Sequence, residues 1–320
     1  MDERAWIRGL RPGDRVDETY ALRSRDVRQR RGGGDYLAMT LADRTGQVAA
    51  LAWENVDRFV RSCRVGDVVR VVGQVQRYNQ RLQIVVREME PVPPESVEAS
   101  LYVRSAAESD EVLWRRLERL IEEVADEHLR QLLFRVFADA EVASRFRVAP
   151  AARSMHHAYR SGLLEHTLSV AGAARLLARH YGLDESLVVA GCILHDLGKI
   201  WELELGHSIE YTDDGRLVGH LVMETLHLDR IIRGIPSFPA ERRRQLLHIL
   251  VSHHGEYAHG SPRRPKTPEA LLVHAVDDLD AKLAGMLEAI EAGGDTGEAW
   301  TAYSPILERH VYRRRPGGGD

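Results

Sequence analysis

The residues of this 320-residue chain whose types and order could do chemistry are His166, the His195–Asp196 pair, His220, the His253–His254 pair and Asp277. Imidazole nitrogens with carboxylate oxygens, and no thiolate among them, suit a divalent cation such as Mn²⁺, Fe²⁺, Co²⁺, Ni²⁺ or Zn²⁺. A cation held in that way activates water, so the chemistry to expect is hydrolysis. The two cysteines, Cys63 and Cys192, are too few for a structural zinc site or a disulfide framework and read as buried thiols. One His-Asp dipeptide means little, because a chain with 15 histidines has about one by chance. The weight lies in the series and in its crowding: the first histidine is His128, and thirteen of the fifteen fall between His156 and His274.

A helical scaffold is expected to position these groups. GLLEHTLSVAGAARLLARHYG carries His166 and stops at Gly182. Asp184 is placed to cap a helix that runs to Gly198–Lys199 and carries the His195–Asp196 pair. Pro239 opens a helix ending near Gly255 with His253 and His254, and Thr267–Pro268 opens the one that carries Asp277. Each group therefore sits on its own expected helix, and several helices can aim imidazoles and carboxylates at one point. Two consecutive helical residues are about 100° apart. On that geometry one of His253 and His254 binds metal while the other meets substrate or backbone.

The front of the chain has a different texture. Residues 1–90 hold 17 arginines and 13 acids, a basic balance in a chain whose net charge is −4, so the remainder is acidic. Asp35–Asp43 and Gly46–Glu54 read as strands joined by the turn DRTG, and a short helix is expected around Asn55–Cys63. Gly66–Val86 then holds two β-rich runs joined by a polar turn near Tyr78–Gln80. Val69, Val71 and Val75 share one face at two-residue steps, with Gly73 suited to a bulge. Five strands with a helix after the third resemble an OB-fold of the nucleic-acid-binding kind, which stacks bases on aromatics and tracks phosphates with basic side chains. Tyr36, Trp53, Arg77, Tyr78 and Arg81 are the candidate contacts, Phe59 reads as core, and RQRRGGGD (Arg28–Asp35) as a basic loop.

The strings HHAYRSGLLEHTLSV, GCILHDLGKIWEL, YTDDGRLVGH and ILVSHHGEYAHGSPRRPKTPEALLVHAVDDLDAK, behind the OB-like domain, resemble the YhaM-type 3′–5′ exoribonucleases of the HD phosphohydrolase superfamily over residues 14 to 290. The resemblance implies His166, His195, Asp196 and Asp277 as core metal ligands. His220, His253 and His254 match the places of members that hold a second metal. It therefore implies two ions, Mn²⁺ first among the possibilities, bridged by Asp196, with Asp196, Lys199 and His254 in catalytic roles and Lys199 also as a phosphate contact. His156, His157 and Arg160 precede the first ligand helix, where they either hold the 3′ end or serve ordinary packing. It also implies a homo-oligomer, for which the helical stretch 109–147 and the apolar Leu283–Ile290 offer surfaces.

The chain then reads as multidomain: an N-terminal all-β OB-fold barrel over 1–92, a helical linker or hairpin over 93–150, an all-α HD-domain bundle over 151–295, and a tail over 296–320 of which residues 312–320 are expected to be disordered. The function expected is a metal-dependent 3′–5′ exoribonuclease on single-stranded RNA, with single-stranded DNA as a further substrate. Two alternatives remain open on the residues: an HD phosphohydrolase of nucleotides or cyclic oligonucleotides, and a non-catalytic single-strand-binding protein. Membrane association is not expected, because the apolar run Leu187–Leu194 is too short to span a bilayer. The N-terminus lacks the apolar core of a signal peptide, so the expected location is cytoplasmic. Weaker signals have two readings: Glu224 and His227, at i+4 and i+7 from His220, either continue its face or lie on a solvated one; His274, three before Asp277, reads as a core histidine over a member of the shell; Asp280, at i+3 from Asp277, as support for a ligand; Lys282 as a site residue or a surface ion-pair residue; and Ser261–Lys266 as a basic loop that either admits the strand or is merely surface.

Overall fold

Alternation of apolar and polar residues builds the first third of the chain. In the computed structural model, which describes residues 4–30, 32–79, 81–153, 157–292, 299–304 and 307–313, five strands form a closed barrel. They are β1 (Arg15–Gln29), β2 (Asp35–Asp43), β3 (Gly46–Ala52), β4 (Val68–Tyr78) and β5 (Arg81–Pro91), in the order β1-β2-β3-β5-β4. Every pairing is antiparallel except β3 with β5. Leu37, Met39 and Leu41 of β2 and Val69, Val71 and Val75 of β4 point inward, as two-residue periodicity requires. Gly73 sits at the register shift of the β4–β5 pair, where a Cβ would come within 2.5 Å of the Val85 carbonyl oxygen. The bulge expected there is present, and close backbone approach is its reason. The short helix α1 (Val56–Ser62) follows β3 and buries Phe59 in the barrel core.

The chain divides by its internal contacts into two units, Met1–Ser105 with Leu205–Ser208 and Ala106–Glu204 with Ile209–Asp320. The second unit is helical. Helices α2 (Asp110–Glu122), α3 (Glu127–Phe137) and α4 (Ala140–Val148) each begin on a side-chain cap, from Ser109, Asp126 and Asp139. Three helices therefore occupy the stretch read from sequence as a hairpin. Their apolar faces join one core with the helices that follow.

Those helices are α5 (Gly162–Tyr181), α6 (Glu185–Leu194), the short α7 (Lys199–Glu202) and α8 (Asp213–Leu217), α9 (His220–Arg233), α10 (Ala240–Ser252) and α11 (Pro268–Ala292). A two-stranded sheet, β6 (Leu203–Leu205) with β7 (Ile209–Tyr211), lies between α7 and α8 in sequence. Asp184 caps α6 as expected, accepting the Leu187 N–H at 3.0 Å. The Leu187–Leu194 run is buried on all sides, which explains an apolar stretch without helical periodicity. Among the described residues no helix is long and apolar enough to cross a membrane. In the C-terminal segment, bridges join Trp300 to Tyr312 and Ser304 to Arg309. Of residues 312–320, expected as a disordered end, Tyr312 and Arg313 are instead ordered, by the bridge to Trp300 and by an Arg313 N–H donated to the Ala299 carbonyl at 2.7 Å, while 314–320 lie outside the described residues.

Candidate metal centre

Helix ends deliver the site. His166 projects from the middle of the first turns of α5 and Asp277 from α11, but the other groups stand at termini. His195 is the residue at which α6 ends, with Asp196 in the turn before α7. His220 is the first residue of α9, and α10 ends at Ser252, just before His253 and His254. The expectation that each pair rides on a helix is corrected for both pairs. His253 is the C-cap of α10, and although its ring stands at 78° to that of His254, both bring a ligand atom within 4.8 Å of His220's.

Two trios result. Ligand atoms of His166, His195 and Asp277 lie within 4.8 Å of one another, and so do those of His220, His253 and His254. Asp196 stands between them. Its Oδ2 is 3.6 Å from His166 Nε2 and 3.4 Å from His195 Nε2, while Oδ1 is 3.7 Å from His220 Nε2 and 3.6 Å from His253 Nε2. Asp277 Oδ1 completes the first trio at 3.1 Å from His166 Nε2 and 3.5 Å from His195 Nε2.

The outward-facing nitrogens decide which atoms point in. His195 Nδ1 donates to the Cys192 carbonyl at 2.7 Å, His253 Nδ1 to the Leu250 carbonyl at 2.8 Å, and His254 Nδ1 to the His259 carbonyl at 3.1 Å. His166 Nδ1 faces an Asp280 oxygen at 2.8 Å, and His220 Nδ1 faces Glu202 at 3.0 Å. With the proton on Nδ1, each ring turns an Nε2 lone pair inward. The inward pairs His166–His195 and His220–His254 then stand 3.3 and 3.2 Å apart, nitrogen to nitrogen. The buried Asp196 Oδ1 and His253 Nε2 have no hydrogen-bond partner among the described residues. Converging lone pairs and an orphaned carboxylate oxygen repel one another in a buried site unless a cation joins them. The donor set fits a divalent metal.

The charges tell the same story. Burial works against Asp196 as an anion, yet the Lys199 ammonium and the imidazoles of His195, His253 and His220 hold its carboxyl well below the usual carboxylate range. Burial likewise opposes a charged His195, but Asp196 and Asp277 outweigh it and raise that imidazole to about 9. His254 goes the other way: burial, then His253 and His220, lower it to about 3. A proton on His195 and a metal ion compete for the same lone pair, so the two are linked.

Lys199, expected as a phosphate contact, gives its ammonium to Asp196 Oδ2 at 2.6 Å. His157 is buried, with Nε2 3.2 Å from Asp280 and Nδ1 2.9 Å from the Tyr159 hydroxyl and 3.3 Å from Glu165. Arg160 is exposed, and His156 lies outside the described residues. Asp280 accepts from His166, His157 and the Ser169 hydroxyl, so it supports a site histidine. His274 donates to the His253 carbonyl at 2.7 Å, and Lys282 pairs with Asp278 on the surface. Of the two readings of Glu224 the solvated face falls, since the residue is 0% exposed. The four-residue step from His220 sets both residues on one side of α9, and that side is the buried one. Burial, reinforced by the Asp196 charge, pushes the Glu224 carboxyl well above its ordinary value. Glu202, which also accepts the His220 backbone N–H at 3.1 Å, was not anticipated, since no sequence spacing marks it.

On the barrel, Trp53 is 40% exposed and stacks on Tyr36, ring centroids 4.9 Å apart, with the Arg30 guanidinium 4.9 Å above the indole. Tyr78, 65% exposed, pairs across the β4–β5 hairpin with Arg81, next to exposed Arg77. These are two aromatic–basic patches of the type that holds single strands.

Residues 22–92 match the model of an OB-fold nucleic acid binding domain, and residues 163–282 match that of the HD domain. Among curated proteins, the chain is similar to the 3′–5′ exoribonuclease YhaM of Bacillus velezensis, at 30% identity over 281 residues that cover 87% of this chain and 88% of that one. It is likewise similar to the 3′–5′ exoribonuclease YhaM of Bacillus subtilis, at 31% identity over the same shares of both chains.

Proposed function

The chain belongs to the family of the YhaM 3′–5′ exoribonucleases, and from that premise we infer that it is a metal-dependent 3′–5′ exoribonuclease, releasing nucleoside monophosphates from single-stranded RNA. The observation that carries the reading is Asp196, whose two carboxylate oxygens face two separate trios of inward-turned donors. Two ions would fit that arrangement, one held by His166, His195 and Asp277, the other by His220, His253 and His254, with Asp196 as the ligand common to both. Nitrogen-and-oxygen donors favour Mn²⁺, with Co²⁺, Ni²⁺, Fe²⁺ or Zn²⁺ as substitutes. When bound, such ions acidify water and neutralise phosphoryl charge.

The protein's own groups do the rest. Lys199 offsets the Asp196 charge, and Asp280 and Glu202 fix the tautomers of His166 and His220. His157 braces Asp280 and is assigned here to positioning instead of to the 3′ end; Arg160, exposed and close in sequence, is the better contact for the terminal nucleotide. The barrel holds the strand through Tyr36, Trp53, Arg77, Tyr78 and Arg81. A strand-holding barrel favours a polymer over a free nucleotide as substrate. The α11 stripe Leu279, Leu283 and Leu287, exposed at four-residue steps, supports a homo-oligomer. An RNA substrate puts its work in the cytoplasm.

Timed digestion of 5′-labelled RNA and DNA of one sequence, across a panel of metals, tests the reading. A ladder shortening from the 3′ end, with monophosphate product and RNA cut faster than DNA, is expected. Internal cleavage, or a preference for mononucleotides over the polymer, would overturn it.

A further inference from the structure

Among the described residues, Glu224 is the one fully buried carboxyl next to the centre that the reading above does not use. It stands on α9 one turn after His220, so its side chain lies on the same face as that ligand. Its Oε2 accepts the backbone N–H of Gly198 at 3.1 Å. Gly198 ends the turn that carries His195 and Asp196, and its Cα packs directly on the start of α9: a Cβ there would lie 2.3 Å from the His220 carbonyl oxygen. The turn and the helix are therefore joined twice, by contact at Gly198 and by the Glu224 hydrogen bond. Asp196 lies on one side of that joint and His220 on the other, with 3.7 Å between their facing atoms.

We propose that Glu224 is a positioning residue that locks the His195–Gly198 turn to α9 and so sets the separation of Asp196 from the His220 trio. The proposal rests on the metal-centre reading and deepens it. Its requirement is an acceptor at the end of a side chain of this length. A negative charge is not required, since a neutral carboxyl, which burial favours here, accepts through its carbonyl oxygen. A ligand of the metal would need the charge. Glu→Gln and Glu→Met changes therefore separate the roles: both keep the volume, and only glutamine keeps the acceptor.

The test titrates the purified, metal-stripped full chain with Mn²⁺, following free Mn²⁺ by electron paramagnetic resonance, with a thermal melt of each variant beside it. Loss of an outer hydrogen bond of this kind weakens metal binding by about tenfold or more. Glu224→Met is expected to lose about that much, and more than threefold in any case, while Glu224→Gln stays within threefold of the native chain. If the methionine variant does not fold, Glu224→Asp replaces it, withdrawing the carboxyl by one methylene with the same expected loss. A loss of threefold or less in Glu224→Met, or in its aspartate substitute, overturns the proposal by reducing Glu224 to packing. A loss above threefold in Glu224→Gln overturns it by making the charge essential. A native chain that binds no Mn²⁺ overturns the metal-centre reading itself, so the two failures are distinguishable.

Discussion

An Asp280 carboxylate oxygen lies 2.8 Å from Nδ1 of His166, and that bond fixes which nitrogen His166 turns toward Asp196 and Asp277. Residues 114 positions apart in the chain are joined there, α5 to α11. Removing the acceptor frees the ring to rotate and to change tautomer. Asp280→Ala should weaken Mn²⁺ binding about 10- to 100-fold with the fold intact. Native affinity in that variant, measured by the same titration, would show that the bond does not hold the ligand.

The same carboxylate makes stability depend on pH through His157. Burial would lower this imidazole, but the hydrogen bonds its ring donates to Asp280 and Glu165 prevail and raise it to about 9 from 6.5. A folded-state value above the unfolded one means the contribution is complete below about pH 6.5 and is lost as pH rises through about 9. Its size is up to about 3 kcal/mol. Urea melts of the metal-stripped chain at pH 6 and pH 9.5 should show a larger fall for the native protein than for His157→Gln. Equal falls would remove His157 from the account.

On the barrel, Trp53 carries the prediction. An exposed indole backed by Tyr36 and covered by Arg30 offers a stacking face worth about 1–3 kcal/mol per base. Trp53→Ala should raise KM for a long single strand by about 5- to 100-fold and leave kcat near native. A fall in kcat with KM unchanged would contradict a strand-holding role.

Away from the site, Asp139 caps α4 through bonds to the N–H groups of Glu141 and Val142 at 2.9 and 3.2 Å. Asp139→Ala should cost about 1 kcal/mol, seen as a lower melting temperature, without changing metal content. Altered metal content would mean that α4 does more than support the core.

The sequence made the donors legible and hid their presentation. His166, the two paired motifs, His220 and Asp277 are polar residues at intervals that packing alone does not need, so their types gave them away. Their placement at helix termini depends on where α6 and α10 stop, and neither stop is marked by a glycine or proline at the boundary residue itself. The supporting groups were harder to see. Asp280 was visible because it falls at i+3 from Asp277 on one helix. Glu202 takes its meaning from contact with His220, which the sequence does not encode as spacing. Glu224 at i+4 from His220 was visible as a step along α9. Which face of α9 is buried, however, follows from packing against its neighbours, and a polar residue read alone defaults to solvent. In the barrel, alternation and the bulge glycine were enough for β2–β5, because period-two burial is written directly in the residues.

If Asp196 joins the two trios into one metal-dependent active centre, its loss must stop the reaction. Release of nucleoside monophosphate from a 5′-labelled single-stranded RNA, measured for the native chain and for Asp196→Asn with Mn²⁺ and with chelator, tests it most directly. Expected are 3′-end trimming by the native chain with Mn²⁺, none with chelator, and a rate at least about a hundredfold lower for Asp196→Asn. Trimming by Asp196→Asn at the native rate, or native trimming that survives the chelator, would contradict it.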